Sequence, residues 1–434
     1  MRLSEAWELV GLGSRRSTGN RALDRCHDIA ALRAAARRRL PRAVFDYIDG
    51  GADEELTLAG NREAFHRVRF RPRALQDVSA PSLSTRLLGA ELPAPIALAP
   101  TGYTRMIHPD AETGVARAAA ARGLPYTLST VATTTIEDVA ATGHPNLWFQ
   151  LYVLRDRGLT RALVDRAADA GFRVLEIAVD SAVSGHRTRD VRNGLTIPPQ
   201  LTAKTLLGIG AHPGYWSSVL RGAPLTLANL RDTGPDGRPN ARSRAGGPGT
   251  VAGINELFDP SVTWDDLASL REHWSGALVL KGPLGPSDVR RAVDLGIDGI
   301  HLSNHGGRQL DRCVSPLDLL RPAREAAGEL PTILLDSGIR SGADIAAAIA
   351  LGADACVVGR AYLYGAAAAG QRGVEHAIDL LTGQLRRTLQ LLGATDLADL
   401  RKHGAELVVL DQHRLDQHRV DQHRVPAEGW PGHG

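Results

Sequence analysis

Gly299-Ile300-His301-Leu302-Ser303-Asn304-His305-Gly306-Gly307-Arg308-Gln309-Leu310-Asp311 is the passage of this 434-residue chain on which the reading turns. Its first four residues read as the end of a buried strand, and the glycine pair after His305 marks the opening of a loop. A base and a cation three residues apart, where a strand gives way to a loop, suit one task. They can hold a small carboxylate while a proton beside it is removed. Taken alone, His-Gly-Gly-Arg would read as a turn whose histidine caps a strand. The same strand-to-loop pattern recurs along the chain, and that recurrence gives the passage its weight.

Eight short apolar runs occur in order: Pro95–Pro100, Tyr126–Thr130, Leu147–Tyr152, Val174–Asp180, Ala277–Gly282, Gly299–Ser303, Thr332–Gly338 and Cys356–Arg360. They are apolar throughout rather than alternating, as parallel strands buried on both faces are. Longer segments between them read as helices, several closing on a glycine before the next strand: Gly123, Gly143, Gly171, Gly296 and Gly352. Eight βα repeats predict an α/β fold of the (β/α)₈ TIM-barrel type. A doubly wound open sheet is the competing architecture, and it would place a glycine-rich phosphate loop after the first strand. Pro100-Thr101-Gly102 is no such loop. Barrel chemistry gathers at the C-terminal strand ends. Those ends carry Thr101, Ser129, Gln150, Tyr152, Asp180, Lys281, His305, Arg308, Asp336, Gly338, Gly359 and Arg360.

Bulk properties narrow the class. Apolar content of 43% and charged content of 23% describe a soluble globular protein, and a net charge of +3 gives no support for nucleic-acid binding. Cys26, Cys313 and Cys356 have no paired or metal-like spacing, which points to a reducing compartment. Glu5, Glu8, Arg15 and Arg16 interrupt any signal-peptide core, and no uncharged run reaches the roughly 18 residues that span a bilayer. A cytoplasmic protein is expected, at most attached to the inner face of a membrane.

Outside the repeats, residues 1–26 read as a variable N-terminus, and 27–75 as a helical entry to a catalytic domain ending near 400. A long insertion follows the fourth strand, roughly 188–266. Its first part holds Leu206, Leu207, Tyr215, Trp216, Val219 and Leu220; its second, 231–249, is rich in Gly, Pro and Arg and reads as flexible. Residues 401–434 read as a solvated, histidine-containing tail with three Asp-Gln-His-Arg repeats, beginning at Asp411, Asp416 and Asp421.

The ungapped run Ser303–Asp311 resembles the active-site signature of the FMN-dependent 2-hydroxy-acid oxidase and dehydrogenase family. That family includes glycolate oxidase, mandelate dehydrogenase and the respiratory L-lactate dehydrogenases. Supporting blocks in the same order are Phe45-Asp46-Tyr47, Phe149-Gln150-Leu151-Tyr152, Val179-Asp180, Lys281-Gly282, Asp336-Ser337-Gly338-Ile339-Arg340 and Gly359-Arg360. The resemblance implies His305 as base, with Asp180 orienting it and stabilising the imidazolium. It implies Arg308 and Arg187 on the substrate carboxylate, with hydrogen bonds from Tyr47 and Tyr152. For FMN it implies Lys281 opposite the charge gained by the ring, Gln150 and Ser129 on the ring edge, and Pro100, Thr101 and Gly102 along one face. Ser303 completes the cofactor set, with Asp336 on the ribityl chain and the phosphate near Gly338, Arg340, Gly359 and Arg360. No metal is implied. Val131 and Ala178 depart from the pattern, standing where glycolate oxidase has tryptophan and threonine.

Within the family some members reduce oxygen and others a quinone or cytochrome. Gly102, the segment Val183–Gly194 and His212-Pro213 followed by Trp216 resemble the dehydrogenases. The resemblance therefore implies oxidation of an L-2-hydroxy acid, L-lactate foremost, with a quinone or other non-oxygen acceptor. It also implies a homo-tetramer with peripheral membrane contact through the insertion. An oxidase releasing hydrogen peroxide is the alternative. An FMN-dependent isomerase barrel and a flavin carrier without turnover fit the His305, Asp180, Arg308 and Lys281 set less well.

Overall fold

A computed structural model of the chain describes residues 23–193, 212–230, 257–329 and 331–411. The N-terminal segment to residue 22, Leu206, Leu207, the glycine-rich stretch and the repeats beyond Asp411 lie outside the described residues, as do the side chains of Val219 and Leu220.

All eight expected strands form, as β1 (Ile96–Leu98), β2 (Tyr126–Ser129), β3 (Leu147–Leu151), β4 (Val174–Ala178), β5 (Ala277–Gly282), β6 (Gly299–Leu302), β7 (Thr332–Leu335) and β8 (Ala355–Val358). Each pairs in parallel with the next, and β8 returns to β1, closing a barrel. Most are shorter than the apolar runs. The residues trimmed from their C-terminal ends, among them Tyr152, Asp180, Ser303 and Asp336, begin the loops of the upper rim. The five glycines expected to end helices all take positive φ, from 64° at Gly123 to 118° at Gly352.

Period-two alternation sorts the strand residues. Leu175, Ile177, Leu278, Leu280, Ile300 and Leu302 join the outer core beneath the helices. Trp148, Val174, Val279, Leu334 and Val357 form a separate inner cluster with Leu87 and Leu92. Those two leucines belong to an antiparallel hairpin, Thr85–Leu87 and Ala90–Leu92, which plugs the lower end of the barrel. Above this apolar plug the interior turns polar, with Glu176, Lys281, His301 and Gln150 all buried.

Three departures from the sequence reading are informative. The domain does not end near 400: the strand Val408–Leu410 pairs antiparallel with Val68–Phe70, and Val408 and Leu407 are buried. The insertion ends before Asp266, because Trp264–His273 is a helix whose first turn is closed by a reciprocal bond between Thr263 and Asp266. Finally, Tyr215, on the insertion helix Pro213–Arg221, does not face outward. It is buried and donates to the carbonyl of Met106 at 2.8 Å, and Trp216 packs edge-on against its ring. Both aromatics fasten the insertion to the barrel rim. No helix among the described residues is long and apolar enough to cross a membrane.

Candidate active site

The loop after β6 is wound in left-handed backbone, with φ of 58° at His305, 64° at Gly306 and 74° at Gly307. A histidine in this region is strained and persists only where its surroundings over-determine it. They do so here. The His305 N–H donates to Ser303 Oγ and the Gly306 N–H to Ser337 Oγ, both at 3.0 Å. At Gly307 a Cβ would come within 2.6 Å of the Leu58 amide nitrogen, so only glycine fits. Asn304 and Asn61 exchange two buried amide bonds of 2.8 and 2.7 Å. Gln309 donates to the carbonyls of Asp180 and Val183 and accepts the Gly185 N–H, joining this loop to the end of β4.

Asp311 closes the loop from outside. Its carboxylate accepts the N–H groups of Thr57, Glu54 and Leu56 at 2.7, 3.1 and 3.3 Å, capping the helix Leu56–His66, for which Glu55 makes no side-chain cap. Asp311→Ala should therefore lower stability by roughly 0.5–2 kcal/mol, with Asp311→Asn recovering most of it. Thermal denaturation of the holoenzyme measures the difference.

At the heart of the site, His305 Nδ1 lies 3.2 Å from Asp180 Oδ2 and Nε2 lies 3.3 Å from the Tyr152 hydroxyl. An ionised Asp180 only accepts, so Nδ1 carries the proton and Nε2 presents a lone pair. Burial is the largest influence on His305 and lowers its pKa; Asp180 opposes this and Lys281 reinforces it. Asp180 is held below its usual range despite burial, by His305 and then Lys281. The imidazole is thus neutral and basic near neutrality. It follows that kcat/KM should hold steady as pH falls to the ordinary histidine value of 6.5 and decline only below it. A pH profile whose acid limb lies above that value would contradict this.

Arg187 and Arg308 line the same cavity as His305, each with its guanidinium near the Tyr47 ring. Their guanidinium carbons lie 5.9 and 4.9 Å from the Tyr47 ring centre. Arg308 donates to the backbone carbonyls of Tyr47 and Gly50. Burial, then repulsion from Arg187, pushes its pKa down to about 9. Arg187 Nε is buried and has no hydrogen-bond partner among the described residues. Two half-buried cations side by side, one with an unused donor, make an anion site.

A flavin fits the rest of the cavity. Its lining includes Pro100, Thr101, Gly102, Ser129, Lys281, Asp336, Gly338, Arg340, Gly359 and Arg360. Gln150 accepts from Ser129 Oγ at 2.9 Å, yet its buried Nε2 has no partner among the described residues. That orphan donor suits a ring carbonyl. Gly359 begins the helix Arg360–Leu392 with no capping side chain, leaving first-turn N–H groups to a phosphate.

Some expected residues stand differently from a direct ligand contact. Ser303 is fully buried and positions His305; Arg360 donates to the carbonyls of Ile48, Gly306 and Gly50, binding the signature loop to the N-terminal helices. Asp336 lies 3.2 Å from His301 Nε2 as well as lining the cavity. Sequence reasoning missed His301 and Glu176, whose signal was ionisable residues inside apolar strands. It also missed Asn61, whose partner lies far along the chain. No cluster among the described residues could hold a metal ion.

Fold and site together define a flavin-dependent barrel dehydrogenase. The profile of the FMN-dependent dehydrogenase family matches residues 36–406, and the chain belongs to that family, with FMN as its cofactor. It is 47% identical over 385 residues to a putative L-lactate dehydrogenase of Mycobacterium tuberculosis, covering 88% of this chain and 90% of that protein. An L-lactate dehydrogenase of Pseudomonas aeruginosa is 44% identical over 85% of this chain and 95% of its own. Among solved structures, (S)-mandelate dehydrogenase, described as a monotopic membrane protein, superposes with a TM-score of 0.82 at 36% identity, over 89% of this chain and all of that one. Mandelate oxidase does so with a TM-score of 0.75 at 36% identity, over 89% of this chain and 99% of that one.

Proposed function

We propose that this enzyme oxidises an L-2-hydroxy acid, L-lactate foremost, to the 2-oxo acid and passes the electrons to a quinone rather than to oxygen. The observation that carries the reading is a neutral, carboxylate-held imidazole sharing one cavity with two half-buried guanidiniums. Arg308 and Arg187 grip the carboxylate, which brings the 2-hydroxyl and its carbon toward His305. Tyr47 and Tyr152 complete the hydrogen bonds to the acid. His305 Nε2 takes the proton, and Asp180 stabilises the resulting imidazolium. Bound FMN supplies the two-electron acceptor. Gln150, Ser129, Lys281 and the Pro100–Gly102 backbone would hold its ring, and Gly338, Arg340 and the helix start at Gly359 would hold its phosphate.

The relatives named L-lactate dehydrogenase support the substrate, and Val131 favours no bulky aromatic wall at the rim. Gly102 supports the acceptor. An alanine Cβ there would come within 2.7 Å of Val131 Cγ2, so the glycine and Val131 together shape the space above the flavin. A homo-tetramer on the cytoplasmic side, touching the inner membrane through the insertion, completes the proposal; the monotopic neighbour supports that contact. The test is anaerobic. L-lactate should bleach the flavin absorbance, and a quinone analogue should restore it faster than oxygen does. Equal rates would move the enzyme to the oxidases, and no bleaching by any 2-hydroxy acid would end the reading.

A further inference from the structure

Four ionisable residues, three on neighbouring strands and one just past the next, meet inside the barrel. Glu176 on β4 and His301 on β6 are fully buried, and Lys281 on β5 is 3% exposed. Asp336 follows β7 at 8% exposure. His301 stands at the centre. Its Nδ1 lies 2.7 Å from Glu176 Oε2, and its Nε2 lies 3.2 Å from Asp336 Oδ2. An ionised carboxylate only accepts, and a neutral imidazole carries a single N–H. Nδ1 is hydrogen-bonded to Glu176, whereas Nε2 faces Asp336 at 3.2 Å without a hydrogen bond. A neutral ring protonated on Nδ1 would turn a lone pair onto a carboxylate, so a doubly protonated ring is favoured. The direction of its titration agrees: burial favours the neutral ring, but Glu176 and then Asp336 outweigh it and lift the pKa to about 9.

Lys281 is the cross-strand partner of His301 in the β5–β6 register. Although both carboxylates are close enough to raise its pKa against burial, Lys281 forms no ion pair within 4.0 Å among the described residues. Its side chain lines the cavity instead. The charge count explains why it can. Asp180, beside His305, also acts on Lys281. Among the four residues of the cluster itself, two cations balance two anions when His301 is protonated, and with His301 neutral the negative charge facing Lys281 grows by one.

We propose that His301 is a positioning residue that neutralises Glu176 and Asp336, so that the ammonium of Lys281 is directed at the flavin instead of being held by carboxylates. The inference rests on the placement of Lys281 against the flavin ring argued above. A buried ion pair is weak evidence for stability, since hydrophobic replacements of similar volume are often neutral. An electrostatic duty toward the ligand accounts for this one.

The test measures the midpoint potential of bound FMN and its dissociation constant. Lys281→Met serves as the reference and should lower the potential. His301→Gln, which keeps a polar side chain but removes the charge, should disfavour reduction at least ten-fold, about 30 mV downward for a two-electron couple. Removing both members, His301→Val with Glu176→Val, should return the potential to within two-fold of the parent equilibrium. Glu176→Gln should raise it, and replaces the His301→Gln measurement if that variant does not retain FMN. A His301→Gln enzyme with lower Tm but unchanged potential, or a Glu176→Gln enzyme whose potential does not rise, overturns the proposal. If Lys281→Met itself leaves the potential unchanged, the placement of Lys281 fails first and the inference falls with it.

Discussion

Replacing His305 with glutamine should slow the bleaching of bound FMN by L-lactate by roughly 10²–10⁴-fold, the usual worth of a positioned base. FMN content should stay the same. Glutamine can still hydrogen-bond to Asp180 and Tyr152, so the loop keeps two of its contacts while losing the basic lone pair. The comparison is decisive because the loop is held mainly by backbone and by Ser303, Ser337 and Asn304, none of which depends on the imidazole. Rapid-mixing absorbance measurements read both quantities. Loss of FMN with the activity would instead make His305 a structural prop.

Arg308→Met should act on binding. Truncating one partner of a buried charge pair costs roughly 2–5 kcal/mol, which is about 30-fold to several thousand-fold in kcat/KM. Most of the loss should fall on KM, since the carboxylate is gripped before and during the reaction. An unreactive carboxylate analogue, titrated against the flavin spectrum, should lose affinity in parallel. Arg308→Lys should recover little, because an ammonium cannot reproduce the planar fork that also reaches the carbonyls of Tyr47 and Gly50. An unchanged analogue affinity would transfer the carboxylate to Arg187 alone.

The barrel was legible in the sequence because parallel strands covered on both sides are apolar without interruption, and because loop glycines punctuate them. The rim residues were legible because a polar group at the end of such a run has few structural reasons to be there. What escaped notice was short or distant. Val68–Phe70 and Val408–Leu410 are three-residue strands, too short for a periodicity to show, and each exists only because the other pairs with it. The hairpin around Leu88 and Gly89 offered only three leucines, Leu87, Leu88 and Leu92, as a sign that it would seal the barrel. His301 sat within a run that reads as apolar, and its meaning depends on Glu176, far along the chain. Tyr215 and Trp216 could be read only as part of an insertion with membrane contact, because an aromatic pair there carries no mark of which side it packs on.

The catalytic loop leans on chain that precedes the barrel altogether: Asn61 holds Asn304, the Ala52 N–H bonds to the Gly307 carbonyl, and Asp311 caps the helix that begins at Leu56. The eight strands are therefore not a portable cassette. An engineered hybrid that exchanged barrels between relatives at a junction just ahead of β1 would graft one parent's loop onto another's props. Working junctions should lie upstream of Pro41, so that residues 41–66 travel with the loop they brace.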